Sequence, residues 1–147
     1  VLHHLKYRGR FRLARALGRL AFERCLREGP LVGEALVPVP LHKRRRRERG
    51  YDQAQLLAEA IGAAAELPLA RALVKVKDRP AQSTLGLAGR RRNAAGAYRA
   101  GKASVAGKRL ILVDDVMTSG ATAEACARAL RRAGARSVDV LTVARVA

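Results

Sequence analysis

The sequence predicts an α/β fold, a Rossmann-like parallel sheet flanked by helices, and three observations predict it. Leu110, Ile111, Leu112 and Val113 form a short aliphatic run of the kind that becomes a parallel strand buried on both faces. Leu36 to Val39 and Ser137 to Val143 are further strand-length segments rich in Val and Leu, separated from it by segments with helical spacing. Most telling, Leu110 to Thr122 reads LILVDDVMTSGAT, an apolar run followed without a gap by two carboxylates and a turn of small residues. In open α/β sheets ligands bind at the carboxyl ends of the strands, and this order of residues puts ligand-binding groups there.

Taken from the amino end, His3 and His4 have no third ligand at metal spacing and read as a mobile end. Tyr7 stands among Lys6, Arg8 and Arg10, an aromatic among cations that could stack on a base. Residues 10 to 28 set Leu13, Leu17, Leu20 and Leu26 near one stripe and Arg10, Arg12, Arg15 and Arg19 elsewhere, which is an amphipathic basic helix. Such a helix covers a core with its basic face in water, or serves a membrane or nucleic-acid surface.

Leu36 to Val39 is the first core strand, stopped by Pro40. Leu41 to Gly50 then reads as a loop holding the densest charge in the chain, Lys43, Arg44, Arg45, Arg46, Arg47 and Arg49. A solvated charge run and a site for an anionic partner are both open for it. A helix from about Asp52 to Ala65 buries Leu56, Leu57 and Ile61, and Leu73 to Lys77 supplies a short strand. Residues 78 to 109 hold Pro80, several glycines and a second basic cluster at Arg90, Arg91 and Arg92, with no sustained periodicity before Leu110; a loop this long is functional or disordered.

After Val113, Asp114 and Asp115 are placed to accept hydrogen bonds from vicinal hydroxyls, which suits a ribose better than a phosphate. The turn Thr118-Ser119-Gly120-Ala121-Thr122 is small enough to let a ligand approach its backbone, with Gly120 able to take positive φ. Ala123, Cys126, Ala127 and Leu130 then recur at helical spacing, so the turn opens a helix over residues 121 to 133 whose unpaired amides and dipole favour a phosphate. Gly134 ends that helix before the last strand. Neither GxxxxGK[ST] nor GxGxxG is present, so this phosphate cradle is neither a nucleoside-triphosphate loop nor a dinucleotide loop.

On these residues, VDDVMTSGAT resembles the phosphoribosyl pyrophosphate (PRPP) signature of type I phosphoribosyltransferases. Val37-Pro38-Val39-Pro40-Leu41-His42 with Arg45, Arg49, Gly50, Tyr51 and Gln53 is similar to the competence-related ComF (ComFC/GntX) branch, as is the set Gln82, Leu85, Arg90, Asn93, Gly96, Ala97 and Tyr98. The segment Lys6 to Arg10 resembles the same branch. The resemblance implies the type I phosphoribosyltransferase fold, one such domain over residues 1 to 147, with residues 1 to 30 as a covering helix and 78 to 109 as a flexible hood that excludes water from a reactive sugar. It implies that Asp114 and Asp115 contact the ribose hydroxyls and that Met117, Thr118, Ser119, Gly120, Ala121 and Thr122 wrap the 5-phosphate. His42, Arg45 and Arg49 would face the pyrophosphate, and Gln82, Arg90 and Asn93 would act from the hood. Mg²⁺ would be held through PRPP, with no metal bound directly by the protein. Lys43, Arg44, Arg46, Arg47, Arg91 and Arg92 are left for nucleic acid.

Three departures bear on this. Members of the branch often carry a four-cysteine zinc module, but only Cys25 and Cys126 are present, far apart, and no zinc site is expected. Asp52 stands where the branch commonly has asparagine. Thr118 stands where purine-salvage relatives have a catalytic aspartate, which leaves the acceptor chemistry and turnover open. Cys126, on the inner face of its helix, reads as a small core residue rather than a nucleophile.

Composition sets the remaining bounds. With 3% aromatic residues and no Trp, the core must be built from Leu, Val, Ile and Ala. Thirty basic against 12 acidic residues give a net charge of +18, which implies salt-sensitive association with polyanions. No apolar run approaches the roughly 20 residues of a membrane-spanning helix, and no secretory leader is evident, so a cytoplasmic location is expected. Two functions are therefore carried forward. One is a Mg²⁺-dependent, PRPP-binding ComF-type protein associated with natural competence and DNA uptake. The other is a single-stranded-DNA-binding competence factor that keeps the PRPP fold without turnover. Other competence proteins are candidate partners of either.

Overall fold

The computed structural model describes residues 11–77, 89 and 94–146; for Phe11, Arg12 and Arg49 the side chains lie outside the description. The elements run α1 (Phe11–Glu28), β1 (Ala35–Pro38), α2 (Lys43–Arg49), α3 (Gln53–Ala65), β2 (Leu73–Lys75), β3 (Tyr98–Ala100), β4 (Arg109–Met117), α4 (Ala121–Arg132) and β5 (Ser137–Arg145). Three strands form a parallel sheet in the order β1-β4-β5, and residues around Leu69 add a parallel bridge to Leu36 on the outer side of β1.

Because strand side chains alternate between faces, a strand covered on both sides must be apolar at every position. In β4, Leu110 and Leu112 join one core with Val37, Cys126 and Leu130, while Ile111 and Val113 join another with Leu36, Leu57 and Ile61. All four β4 residues are fully buried. The helix α4 covers the first face and α3, backed by α1, covers the second. This is the expected parallel sheet flanked by helices.

Several elements differ from the sequence reading. The charged segment after β1 is a helix and not a loop, with His42 as its N-cap and Gly50 as a left-handed C-cap at φ 79°. Apolar periodicity could not announce it, since Lys43 to Glu48 include no apolar and no fully buried residue; arginine is a good helix former, and Arg44 pairs with Glu48 four residues on. In α1 the stripe is displaced: Leu20 and Leu26 are exposed, and the inward face carries Ala14, Leu17, Gly18 and Phe22. Small residues decide this face, because a Cβ on Gly18 would stand 2.6 Å from the Cβ of Ala60 on α3. In α3, Leu57 and Ile61 are fully buried and Leu56 only partly.

The strand β3, within the interval read as patternless, pairs antiparallel with β2 through Lys75↔Tyr98 and Leu73↔Ala100. Three residues are too few to show a period of two, and this small second sheet packs on α4. Residues 78–88 and 90–93, most of the proposed hood, lie outside the described residues. The end of α4 closes as expected: Gly134 adopts φ 95° and the Ala135 amide donates to the Leu130 carbonyl at 3.1 Å. No helix among the described residues is long and apolar enough to cross a membrane.

Candidate functional site

The strand β4 outlasts its neighbour. Pairing with β1 ends at Pro38↔Val113, and the Val39 amide donates a last bond to the Val113 carbonyl at 2.9 Å, whereas pairing with β5 continues to Met117↔Arg145. Asp114 and Asp115 therefore lie within β4, past the point where β1 has stopped, rather than after the strand. This leaves the β1 side of β4 without a strand neighbour at the carboxyl edge of the sheet.

Asp114 and Asp115 are adjacent residues in the stretch of β4 that β1 no longer pairs. Each is steered by the next amide: Asp114 Oδ1 accepts from the Asp115 amide at 2.9 Å, and Asp115 Oδ1 accepts from the Val116 amide at 2.8 Å. One oxygen of each carboxylate is thus used to hold the group in place, and the other is turned away from that bond.

The turn after β4 is built from its backbone. Gly120 is the N-cap of α4 at φ 74°, a conformation that costs a residue with a Cβ, and it offers no side chain to cap the helix. Ser119 Oγ lies 3.4 Å from the Ala121 amide. A small concavity of about 30 Å³ is lined by Asp114, Met117, Thr118, Ser119, Gly120, Thr122 and their neighbours, together with Thr142 of β5. It has room for one end of a ligand. Asp115 does not line this concavity.

Tyr98 is a residue that the sequence reading did not place in the site. From β3 its ring reaches into the core, 9% exposed, with the Lys75 ammonium 5.6 Å from the ring centroid. Burial pushes its hydroxyl pKa well above the usual value, the neighbouring Cys126 and Asp114 add to this, and a hydrogen bond with Thr122 opposes it. The phenol therefore keeps its proton beside the Asp114–Thr122 pocket. Burial likewise pushes the Cys126 thiol up, with Asp114 adding and Lys75 opposing, so Cys126 is a protonated core residue and no nucleophile. The signal for Tyr98 was the Gly96-Ala97-Tyr98 pattern, which marks a position without saying that it reaches Thr122.

The β1–α2 connection leaves the sheet at the same edge. His42 Nδ1 accepts from the Arg44 amide at 3.4 Å, a capping role. Arg45 is half-buried, whereas Lys43, Arg44, Arg46 and Arg47 are exposed. Burial therefore separates Arg45, assigned from sequence to the pyrophosphate, from the four cations assigned to nucleic acid, and identifies a ligand for neither set. Arg49 ends α2. Asp52 spends its charge locally: Oδ2 accepts from the Leu41 amide at 3.0 Å and Oδ1 from the Gln55 amide at 3.4 Å, so one carboxylate caps α3 and ties down the start of the α2 segment. An asparagine has a single acceptor oxygen for those two donors. Gln82, Arg90, Arg91, Arg92 and Asn93 lie outside the described residues.

Comparison with known proteins adds to this geometry. Residues 48–147 match the phosphoribosyl transferase domain family. The chain is 33% identical to competence protein F of Haemophilus influenzae, over 99% of its own length and 66% of that protein's. It is 38% identical to competence protein ComFC of Bacillus subtilis over 75% of its length and 44% of that protein's. It therefore spans about two thirds of the length of the first and less of the second. Among solved structures it resembles the glutamine PRPP amidotransferase of B. subtilis, complexed with ADP and GMP, with a TM-score of 0.66 and 21% identity over 97% of this chain and 30% of that one. At that identity the likeness concerns the fold, which is that of the type I phosphoribosyltransferases.

Proposed function

The chain belongs to the phosphoribosyl transferase domain family, on the branch of competence protein F and ComFC, and from this premise we propose that it binds PRPP with Mg²⁺ at the end of β4 in a role tied to DNA uptake. The observation that carries this reading is the single run of β4, turn and α4. It brings a carboxylate steered by its neighbour's amide, a left-handed glycine and an uncapped helix start around one concavity. The carboxylates suit the vicinal hydroxyls of ribose, and the amides at the start of α4 suit its 5-phosphate. The concavity of about 30 Å³ takes the phosphate end, and the ribose and pyrophosphate extend over the side that β1 leaves open.

Among the described residues no group of three or more His, Cys, Asp or Glu comes together as a metal cage, and the proposal assigns Mg²⁺ to the oxygens of PRPP itself. Bound there it would neutralise the charge of the departing pyrophosphate. The protein's own part is positional. Asp114 and Asp115 orient the sugar, the turn holds its phosphate, and Arg45 from α2 offers a cation to the pyrophosphate on the open side. This arrangement suits displacement of pyrophosphate at the anomeric carbon by a nitrogen nucleophile that gives up a proton.

A second reading, contact with nucleic acid, is favoured by one observation: four adjoining cations of α2 point to solvent beside this site. It adds to the first and does not compete for the same side chains. The deciding experiment is calorimetric titration of PRPP with Mg²⁺, with ribose 5-phosphate and pyrophosphate as controls. Saturable binding is expected, and Asp114→Asn/Asp115→Asn should weaken it about a hundredfold or more, as loss of two charged acceptors implies. Absence of binding to the unaltered protein would overturn the reading and leave nucleic acid as the ligand.

A further inference from the structure

A second cleft lies apart from the one just discussed. It runs along α4 between that helix and residues 94–100, and holds about 550 Å³, within the range of small-molecule pockets. It meets the Asp114–Thr122 concavity only at Ala121, which lines both.

Its lining has two kinds of residue. Ala121, Ala125, Ala129 and Ala133 recur every fourth residue and give α4 a low apolar face, which leaves the cleft wide and flat. Around that face stand three guanidiniums, Arg99 from β3 and Arg128 and Arg132 from α4, against one carboxylate, Glu124. Arg128 is held by Glu124 at 2.6 Å. Arg99 and Arg132 are exposed and make no ion pair among the described residues.

We propose that this cleft is a second ligand site, for a small phosphorylated molecule with a planar ring, of which a mononucleotide is the model. A flat alanine face accepts a ring in close contact, a guanidinium stacks on one, and arginines bind phosphate oxygens in pairs. The cleft is positive where the ligand is negative. A second copy of this chain is a poor occupant, since each carries a net charge of +18. Binding here does not depend on PRPP binding, because it uses none of the carboxylates or turn residues of that pocket other than Ala121.

The test titrates AMP and GMP into the full chain at physiological ionic strength, with adenosine, inorganic phosphate and a single-stranded oligonucleotide as comparisons. One-to-one binding of a mononucleotide is expected, weakened about tenfold or more by Arg99→Gln/Arg132→Gln and unchanged by Asp114→Asn/Asp115→Asn. Both arginines are exposed, so the doubly altered protein should melt with the parent, and Ala129→Leu, which fills the cleft, should also weaken binding. The proposal fails if no mononucleotide binds saturably, or if binding survives the arginine changes. It fails equally if binding disappears with the aspartates, which would place the nucleotide in the other pocket. Phosphate binding as tightly as AMP would show plain charge attraction, and an oligonucleotide alone binding would make the face a nucleic-acid surface; either result overturns it.

Discussion

Two connections leave the same edge of the sheet from adjacent parallel strands, and they are built on opposite principles. The β4–α4 turn begins its helix with a left-handed glycine that supplies no cap, keeps its side chains small and brings carboxylates to the edge. The β1–α2 connection begins its helix with a side-chain cap from His42 and then presents a row of cations, most of them in water. On the proposed function the first would recognise its ligand through backbone geometry, which tolerates few changes. The second would act through charge, which is redundant and screened by salt. Shape and charge would thus be divided between neighbouring connections.

Changes at either connection put that contrast to the test. The largest effect is expected where the β1–α2 connection is tied to α3. Asp52→Ala removes both the α3 cap and the acceptor for the Leu41 amide, and should lower unfolding free energy by about 2 kcal/mol in a urea titration. A decrease under a few tenths would mean that the α2 segment is held by other interactions. Next comes Gly120→Ala. A Cβ there meets nothing closer than the Met117 sulfur at 3.9 Å, so the cost is the left-handed backbone alone, about 1 kcal/mol. PRPP affinity should fall with it, and a turn that binds through its backbone cannot absorb this change silently.

The smallest effect on the fold belongs to α2. Replacing Arg44, Arg46 and Arg47 with Gln should change stability by no more than about 0.5 kcal/mol, because all three are exposed. The same changes should flatten the salt dependence of DNA binding by about one unit for each DNA phosphate no longer neutralised. If instead they abolish PRPP binding and leave the salt slope unchanged, the division of labour between the two connections is wrong.

Much of the site could be read in the chain because it is local. Leu110 to Leu130 holds strand, carboxylates, turn and helix in one stretch, and a strand buried on both faces leaves no choice but consecutive aliphatic residues. The identity of Gly120 as the turn's pivot and of Cys126 as a core residue follows from the same local logic. The α2 helix escaped because periodicity reports an apolar face, and Lys43 to Glu48 hold no apolar residue to report one. The displaced face of α1 escaped for a related reason. Its partner α3 is distant in sequence, and close approach at Gly18 outweighed the larger leucines.

The order of amino acids was enough to specify the main buried strands, the helices with an apolar face and the chemistry gathered at the end of β4, because each depends on residues within one turn or one strand of each other. Packing in three dimensions was needed to stop β1 short and expose the carboxylate edge, to bring Tyr98 from another sheet to meet Thr122, and to enclose between α4 and β3 a cleft rimmed by arginines. Those features depend on where separate segments end against one another, and such distances are set by close packing among residues far apart in the chain.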